Sequence, residues 1–371
     1  MRTKVSQLIP RGPRLAGASL LAVPALIAAG IGVAGPASGS TAPAAAHGVK
    51  QVNLVSDQAG KAQFMDPKLI NPWGLAQSPT SPLWSANNGS DSATLYSGGV
   101  AGSPVVKPPL EVDVAGGPTG QVFNDTTDFV VSSKAGSGAA PFIFDTEAGD
   151  IKAWNPAAAP TTALTVAHVK NAVFKGLALL KTPAGPFLLA ADFHNGRIDV
   201  FNSKFHRVPL PRPFFTDPRL PRGYAPFNVA VLNNSIYVSY AKQDAMRHDE
   251  VDGPGLGFVD RYSAIGLFPH RVASRGTLNA PWGMTWAPST FGRHAGQLLI
   301  GNFGDGRIST FDRWNNFRGL LRRANGHAVR IDGLWSLIPG TATTGGAGTV
   351  LFSAGPDGEM HGLVGLLRPA D

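Results

Sequence analysis

Apolar and polar positions along the chain alternate in short runs, and two of these runs are near copies. Leu188-Leu189-Ala190-Ala191-Asp192-Phe193-His194-Asn195-Gly196-Arg197-Ile198-Asp199-Val200-Phe201 returns as Leu298-Leu299-Ile300-Gly301-Asn302-Phe303-Gly304-Asp305-Gly306-Arg307-Ile308-Ser309-Thr310-Phe311. Each is an apolar run, then Asn-Gly or Asp-Gly, then Ile-x-Val-Phe or Ile-x-Thr-Phe, which predicts two strands joined by a tight turn. No stretch carries the period of a long amphipathic helix.

A second element marks where each unit begins. Pro72-Trp73-Gly74-Leu75 returns as Pro281-Trp282-Gly283-Met284 and, more loosely, as Pro226-Phe227-Asn228-Val229. Similar starts at Val122-Phe123-Asn124, Phe174-Lys175-Gly176 and Gly333-Leu334-Trp335 complete a series at 73, 123, 175, 227, 282 and 334, spaced by 50 to 55 residues. Six such units, each a strand, a hairpin and a further polar strand, predict an all-β six-bladed β-propeller. Its ring must close, because an open array exposes an unpaired sheet edge. Val49 to Ser56 alternates polar and apolar and is expected to pair beside Leu363 to Leu367 in the sixth blade.

Ahead of the units, Arg2, Lys4, Arg11 and Arg14 precede an apolar Ala- and Gly-rich run from Leu15 to Val33, and small residues continue to Ala46. This is the pattern of a Sec-type signal peptide over residues 1–46, which leaves residues 47–371 as the propeller, secreted or extracytoplasmic and without a membrane span. Cleavage there removes four basic charges and takes the formal net charge from +8 to +4. Nucleic acid is therefore not expected as a partner, and a monomer is.

The chain has no cysteine, which excludes disulfides, a thiolate nucleophile and cysteine-based zinc sites. No G-x-S-x-G, H-E-x-x-H, P-loop or EF-hand spacing is present. Glutamate occurs only at Glu111, Glu147, Glu250 and Glu359.

Several long blocks resemble a known family. Asn71-Pro72-Trp73-Gly74, Lys242-Gln243-Asp244 with Gly253-Pro254-Gly255-x-Gly257-Phe258-Val259-Asp260, Asn302-Phe303-Gly304-Asp305-Gly306-Arg307-Ile308 and Ile331-Asp332-Gly333-Leu334-Trp335 are similar to those of an exported bacterial β-propeller family without an established activity. More remotely the units resemble NHL-type repeats and the gluconolactonase-like six-bladed propellers. The latter likeness implies a divalent ion, such as Ca²⁺, in the central channel and a histidine general base at its mouth.

Three groups of residues are candidates for chemistry. In a propeller the entry to each inner strand and the turn after the second strand share one face. Asn124 and Asn228 are expected at entries, with Asn71 and Asn279 just before others; Asp192 and Asn302 are expected at second-strand ends. Asn124, Asn228, Asp192 and Asn302 thus form a candidate oxygen ring for a hard cation, although Asn and Asp equally serve to begin turns. The insertion from Lys242 to Leu256, carrying Asp244, His248, Asp249, Glu250 and Asp252, is a candidate ligand-binding lid over that mouth. His194, at a hairpin tip, and His361, beside Glu359, are candidate catalytic bases. Trp73, Trp282, Trp335, Phe201 and Phe311 read as packing between neighbouring sheets. Two functions are consistent with these groups: a binding or interaction scaffold, or a divalent-metal-dependent lactonase or esterase-like hydrolase.

Overall fold

The computed structural model describes residues 48–370; the expected leader lies outside the described residues. Six antiparallel sheets form the six blades of a β-propeller. The innermost strands are Pro72–Ala76, Pro118–Phe123, Phe174–Thr182, Tyr224–Leu232, Pro281–Trp286 and Leu334–Pro339, numbered here as blades 1 to 6. Each is followed outward by a hairpin, and the two copied hairpins fall in blades 3 and 5.

Blade 6 is closed from the other end of the chain. Val49–Ser56 pairs antiparallel with Leu363–Pro369, from Val49 opposite Pro369 to Ser56 opposite Leu363. Its apolar positions Val49, Leu54 and Val55 are buried. Between blades the packing is apolar: Phe201 joins Ile143 and Ile151 of blade 2, and Phe311 joins Tyr237 and Val259 of blade 4.

One irregularity occurs in all six blades. The register between first and second strands slips at Pro72/Leu75, Phe144/Thr146, Phe174/Leu177, Pro226/Asn228, Pro281/Met284 and Leu334/Leu337. A bulge re-aims the residue it carries. Here it singles out Trp73, Thr119, Lys175, Phe227, Trp282 and Trp335, one per blade.

This register corrects the expected series at its second member. Blade 2 begins at Pro118, so Thr119, and not Phe123, is the counterpart of Trp73. The misreading has a simple cause: Val122-Phe123-Asn124 imitates Pro226-Phe227-Asn228, whereas the true start carries no aromatic residue. The sixth start likewise falls on Trp335.

If the ring is held by the first strand, deleting residues 49–56 removes three buried aliphatic side chains. At ~1.5–3 kcal/mol each this costs about 4.5–9 kcal/mol. Deleting residues 370–371 should change little; equal thermal midpoints for the two truncations would contradict closure by this strand.

Candidate functional site

Trp73, Phe227, Trp282 and Trp335 meet on the propeller axis. Trp73 stacks on Trp335 with ring centroids 3.4 Å apart, and Trp282 meets both edge-on at 6.1 and 5.8 Å. The hairpin turns of blades 3 and 5 add Phe193, 5.4 Å from Phe227, and Phe303, stacked 4.1 Å from Trp335. These tryptophans therefore do not pack between sheets as expected, whereas Phe201 and Phe311 do; they plug the channel.

The plug depends on the residue immediately C-terminal to each of its members. Those inner-strand residues are Gly74, Gly120, Gly176, Asn228, Gly283 and Ser336. A Cβ at Gly74 would lie 2.6 Å from the Thr119 carbonyl oxygen, and one at Gly120 would lie 2.2 Å from the Leu177 nitrogen. Asn228 fits because Gly176 leaves it room. Its amide donates to the Trp282 carbonyl, 2.8 Å, and its oxygen accepts from the Val229 N–H, 2.8 Å.

Above the plug, blade 3 supplies Lys175 where four other blades supply an aromatic ring. Its side chain is buried and its Nζ lies 5.0 Å over the Trp73 ring. The ammonium donates to Glu147 Oε1 at 2.5 Å and to Asp249 Oδ1 at 3.2 Å. A hydrogen-bonded circuit continues around the mouth. Asn88 donates to Glu147 Oε2 at 2.9 Å, and Asn71 donates to Asn88 at 3.4 Å and to Glu359 Oε2 at 2.6 Å. Trp335 Nε1 donates to Asn71 Oδ1 at 3.0 Å, tying the circuit to the plug.

The insertion of blade 4 overhangs this circuit as a hairpin extension. Glu250–Val251 pairs back on Lys242 and Gln243, so residues 244–249 form its turn. Asp244 organises that turn by accepting from the His248 N–H at 2.9 Å. His248 Nδ1 lies 2.8 Å from Asp249 Oδ1. On the far side Gly253 N–H donates to Asn279 Oδ1 at 2.6 Å, and Asp252 packs against Gly304, clasping the insertion to blade 5.

Burial and charge divide the acids. Burial pushes the Glu250 carboxyl up to about 7, against the pull of Lys175. It raises Glu359 in the same way, opposed by the Asn71 hydrogen bond. For Asp249 burial is outweighed by Lys175 and His248, which hold it below the usual range. Burial alone would lower Lys175, but Glu147 and Glu250 hold its proton well above normal. Glu147, His248 and Asp249 each present a donor atom within 4.8 Å of the others, a grouping that can hold a metal ion.

The structure brings Asp249, Glu250 and His248 together at the mouth and leaves Asp244 and Asp252 in the scaffold of the lid. It does not assemble the ring of Asn124, Asn228, Asp192 and Asn302. Asn124 follows the end of its inner strand, on the opposite face, where it bonds Asp128 and Ala140 carbonyls. Asp192 is held by Asn195 and Arg197, and Asn302 donates to Thr277 and Asp305. These are turn-forming roles. His194 offers its carbonyl to Gln243, and His361 Nδ1 lies 2.7 Å from Asp57 Oδ2, beside the closing strand.

The residues missed from sequence are Lys175, Glu147 and Glu359. One signal was available: three of only four glutamates converge here, and Lys175 is the one charged residue in the series of unit starts.

Glu250 gives this site a pH signature. Its folded pKa lies above the ordinary 4.5, so its contribution to stability is full below about pH 4.5 and is lost as pH rises through about 7. Glu250→Gln should match the parent at pH 4.5 and exceed it by about 1–2 kcal/mol at pH 8, read by urea unfolding, its partial exposure reducing the full linkage value. A difference that stays constant with pH would contradict this assignment.

No family model matches the chain. Over 323 residues it is 33% identical to the uncharacterized protein R648 of Acanthamoeba polyphaga mimivirus, covering 84% of this chain and 78% of that one. Over 326 residues it is 32% identical to the uncharacterized protein L690 of the same virus, covering 85% and 84%. These relatives are viral and lend no support to the expected bacterial family or its sequence blocks. Among solved structures the chain is similar to virginiamycin B lyase from Staphylococcus aureus, at 10% identity, 86% and 98% coverage and a TM-score of 0.46. A gluconolactonase from Xanthomonas campestris is similar at 12% identity, 66% and 88% coverage and a TM-score of 0.40. Those two likenesses are of propeller architecture and bring no chemistry with them. By its sequence, the chain belongs to the same family as the two mimivirus proteins.

Proposed function

We propose that the protein is a binding propeller whose lidded mouth captures a small cation. One observation carries this reading: four carboxylates, of Glu147, Asp249, Glu250 and Glu359, act on one buried ammonium, that of Lys175. Lys175 neutralises one of them, and His248 faces Asp249 at 2.8 Å, which leaves carboxylates in excess. Charges in a partly dry site repel strongly. Burial, with smaller repulsion from Glu359 and Asp249, holds the Glu250 proton up to about 7, and an arriving cation would release it.

Binding should therefore tighten as pH rises, by up to about tenfold per unit below 7 if one proton is released. Calorimetric titration of chelator-treated protein with Ca²⁺, Zn²⁺ and 1,4-diaminobutane tests this. At least one should bind, and Glu250→Gln with Glu359→Gln should weaken it by about tenfold or more. Absence of heat from all three would overturn the reading.

The grouping of Glu147, His248 and Asp249 favours a second reading, a divalent-metal-dependent lactonase or esterase-like hydrolase. Two carboxylates and an imidazole suit such an ion, with Lys175 competing for Glu147 and Asp249. A bound ion would polarise an ester carbonyl and acidify a water. Metal-dependent lactone or ester turnover that is lost in Asp249→Ala, with the fold intact, would support it; cation binding without turnover would remove it. The basic, apolar and small-residue pattern of residues 1–46 supports placing either activity outside the cytoplasm.

A further inference from the structure

The lid extends from the end of a second strand, so the turns that join third to fourth strands emerge on the opposite face. Two of them carry large apolar side chains in the open. In blade 4 the turn is residues 263–269, where Ile265 is 59% and Phe268 76% exposed. In blade 5 it is residues 312–316, where Trp314 is 66% exposed. The two turns are neighbours, with Asn315 Nδ2 3.3 Å from His270 Nδ1. On the other flank the connection from blade 3 leans on the first turn, the Phe215 N–H donating to the Gly266 carbonyl at 2.8 Å. It adds Leu210, and with Ile265 it borders an open apolar groove of about 420 Å³.

Phe268 is held under strain. Its φ of +57° is left-handed, and it precedes Pro269, a position that favours extended backbone. The ring makes no aromatic contact among the described residues. Strain of this kind with no burial in return marks a functional position.

The surroundings are basic. Residues 203–215, 261–271 and 312–318 hold seven Lys and Arg against one acid, Asp312. Asp312 is occupied within its own turn, where it accepts from the Trp314 and Asn316 N–H groups at 2.9 Å. Arg207 is spent on Asp199, and Arg271 on Asp217 and Asp260. Lys204, Arg212, Arg313 and Arg318 stand exposed, and the Arg313 guanidinium lies 4.0 Å over the Trp314 ring.

We infer that this face docks on an anionic lipid surface, with Ile265, Phe268 and Trp314 in the interfacial layer and the cations against lipid phosphates. Aromatic rings beside arginine suit that layer, which is apolar on one side and wet on the other. Tips on separate projecting turns sink into a fluid layer without needing matched pits, which a rigid protein partner would have to supply. The charge pattern also sets the orientation. Anionic headgroups repel the carboxylates of the lidded mouth and attract the opposite face, so the mouth points away from the membrane.

The chain from residue 47 contains the whole closed ring and tests this face without the apolar run of residues 15–33. It should sediment with vesicles of phosphatidylcholine and phosphatidylglycerol, less so as salt rises, and bind phosphatidylcholine alone about tenfold more weakly. Brominated acyl chains should quench Trp314 fluorescence, and Trp314→Phe should remove that quenching. Phe268→Gly should weaken vesicle binding by about tenfold, with a thermal midpoint no lower than the parent's because glycine relieves the left-handed backbone. Lys204→Glu with Arg212→Glu should remove most of the preference for anionic vesicles. Met65→Ser, 53% exposed beside the closing strand, should change nothing. Absence of binding to anionic vesicles, unchanged binding in Phe268→Gly, or equal loss in Met65→Ser would overturn the inference. So would a dimer that Phe268→Gly dissociates in protein that ignores vesicles, which would give this face to a second copy of the chain.

Discussion

Crowding at the axis is the constraint on which this protein is built. Neighbouring inner strands run so close that a Cβ at Gly120 or Gly283 would strike the backbone of the next blade, at 2.2 and 2.5 Å. Two consecutive large residues cannot both turn inward there. The chain answers with one bulged residue that is large and a successor that is small in four blades out of six, blades 2 and 4 departing at Thr119 and Asn228. The result is a wall of aromatic rings across the axis. The lidded side takes its character from the blade that departs from the pattern with a charge, at Lys175.

Electrostatics on the lidded side derive from that wall. An ammonium buried against a tryptophan face must be paired, since removing a lone charge from water costs several kcal/mol. Glu147 and Asp249 supply the pairing from two other blades. Through Asn88 and Asn71 the same network reaches blades 1 and 6, and through Asn279 the lid is held to blade 5. The mouth is therefore a shared property of the whole ring, with an excess of negative charge.

Much of the architecture was legible in the chain. Paired hairpins with Asn-Gly and Asp-Gly turns, and starts repeating every fifty-odd residues, imply the six sheets. Alternation in Val49 to Ser56 implies its place in the last of them. The lid, too, was visible as a polar insertion unnecessary to a blade. Register was harder to read, because Thr119 hides the second start and Phe123 imitates one. That slip of four residues sent Asn124 to the wrong face. The oxygen ring failed for a related reason: Asp192 and Asn302 lie on the expected side, yet their side chains are spent on turns within their own hairpins. Asn71 and Glu359 are 288 residues apart in sequence, and only the circular arrangement of blades makes them partners.

Closure of blade 6 also constrains how the molecule can be made. Its outer strand, Val49–Ser56, is synthesised first, and the strand it needs, Leu363–Pro369, is synthesised last. Five blades can form while the ring stays a horseshoe with bare edges at both tips. Bare edges of this kind recruit other strands. A growing chain therefore carries its aggregation hazard until Leu363–Pro369 has been made, and a chain lacking that strand would stay permanently open.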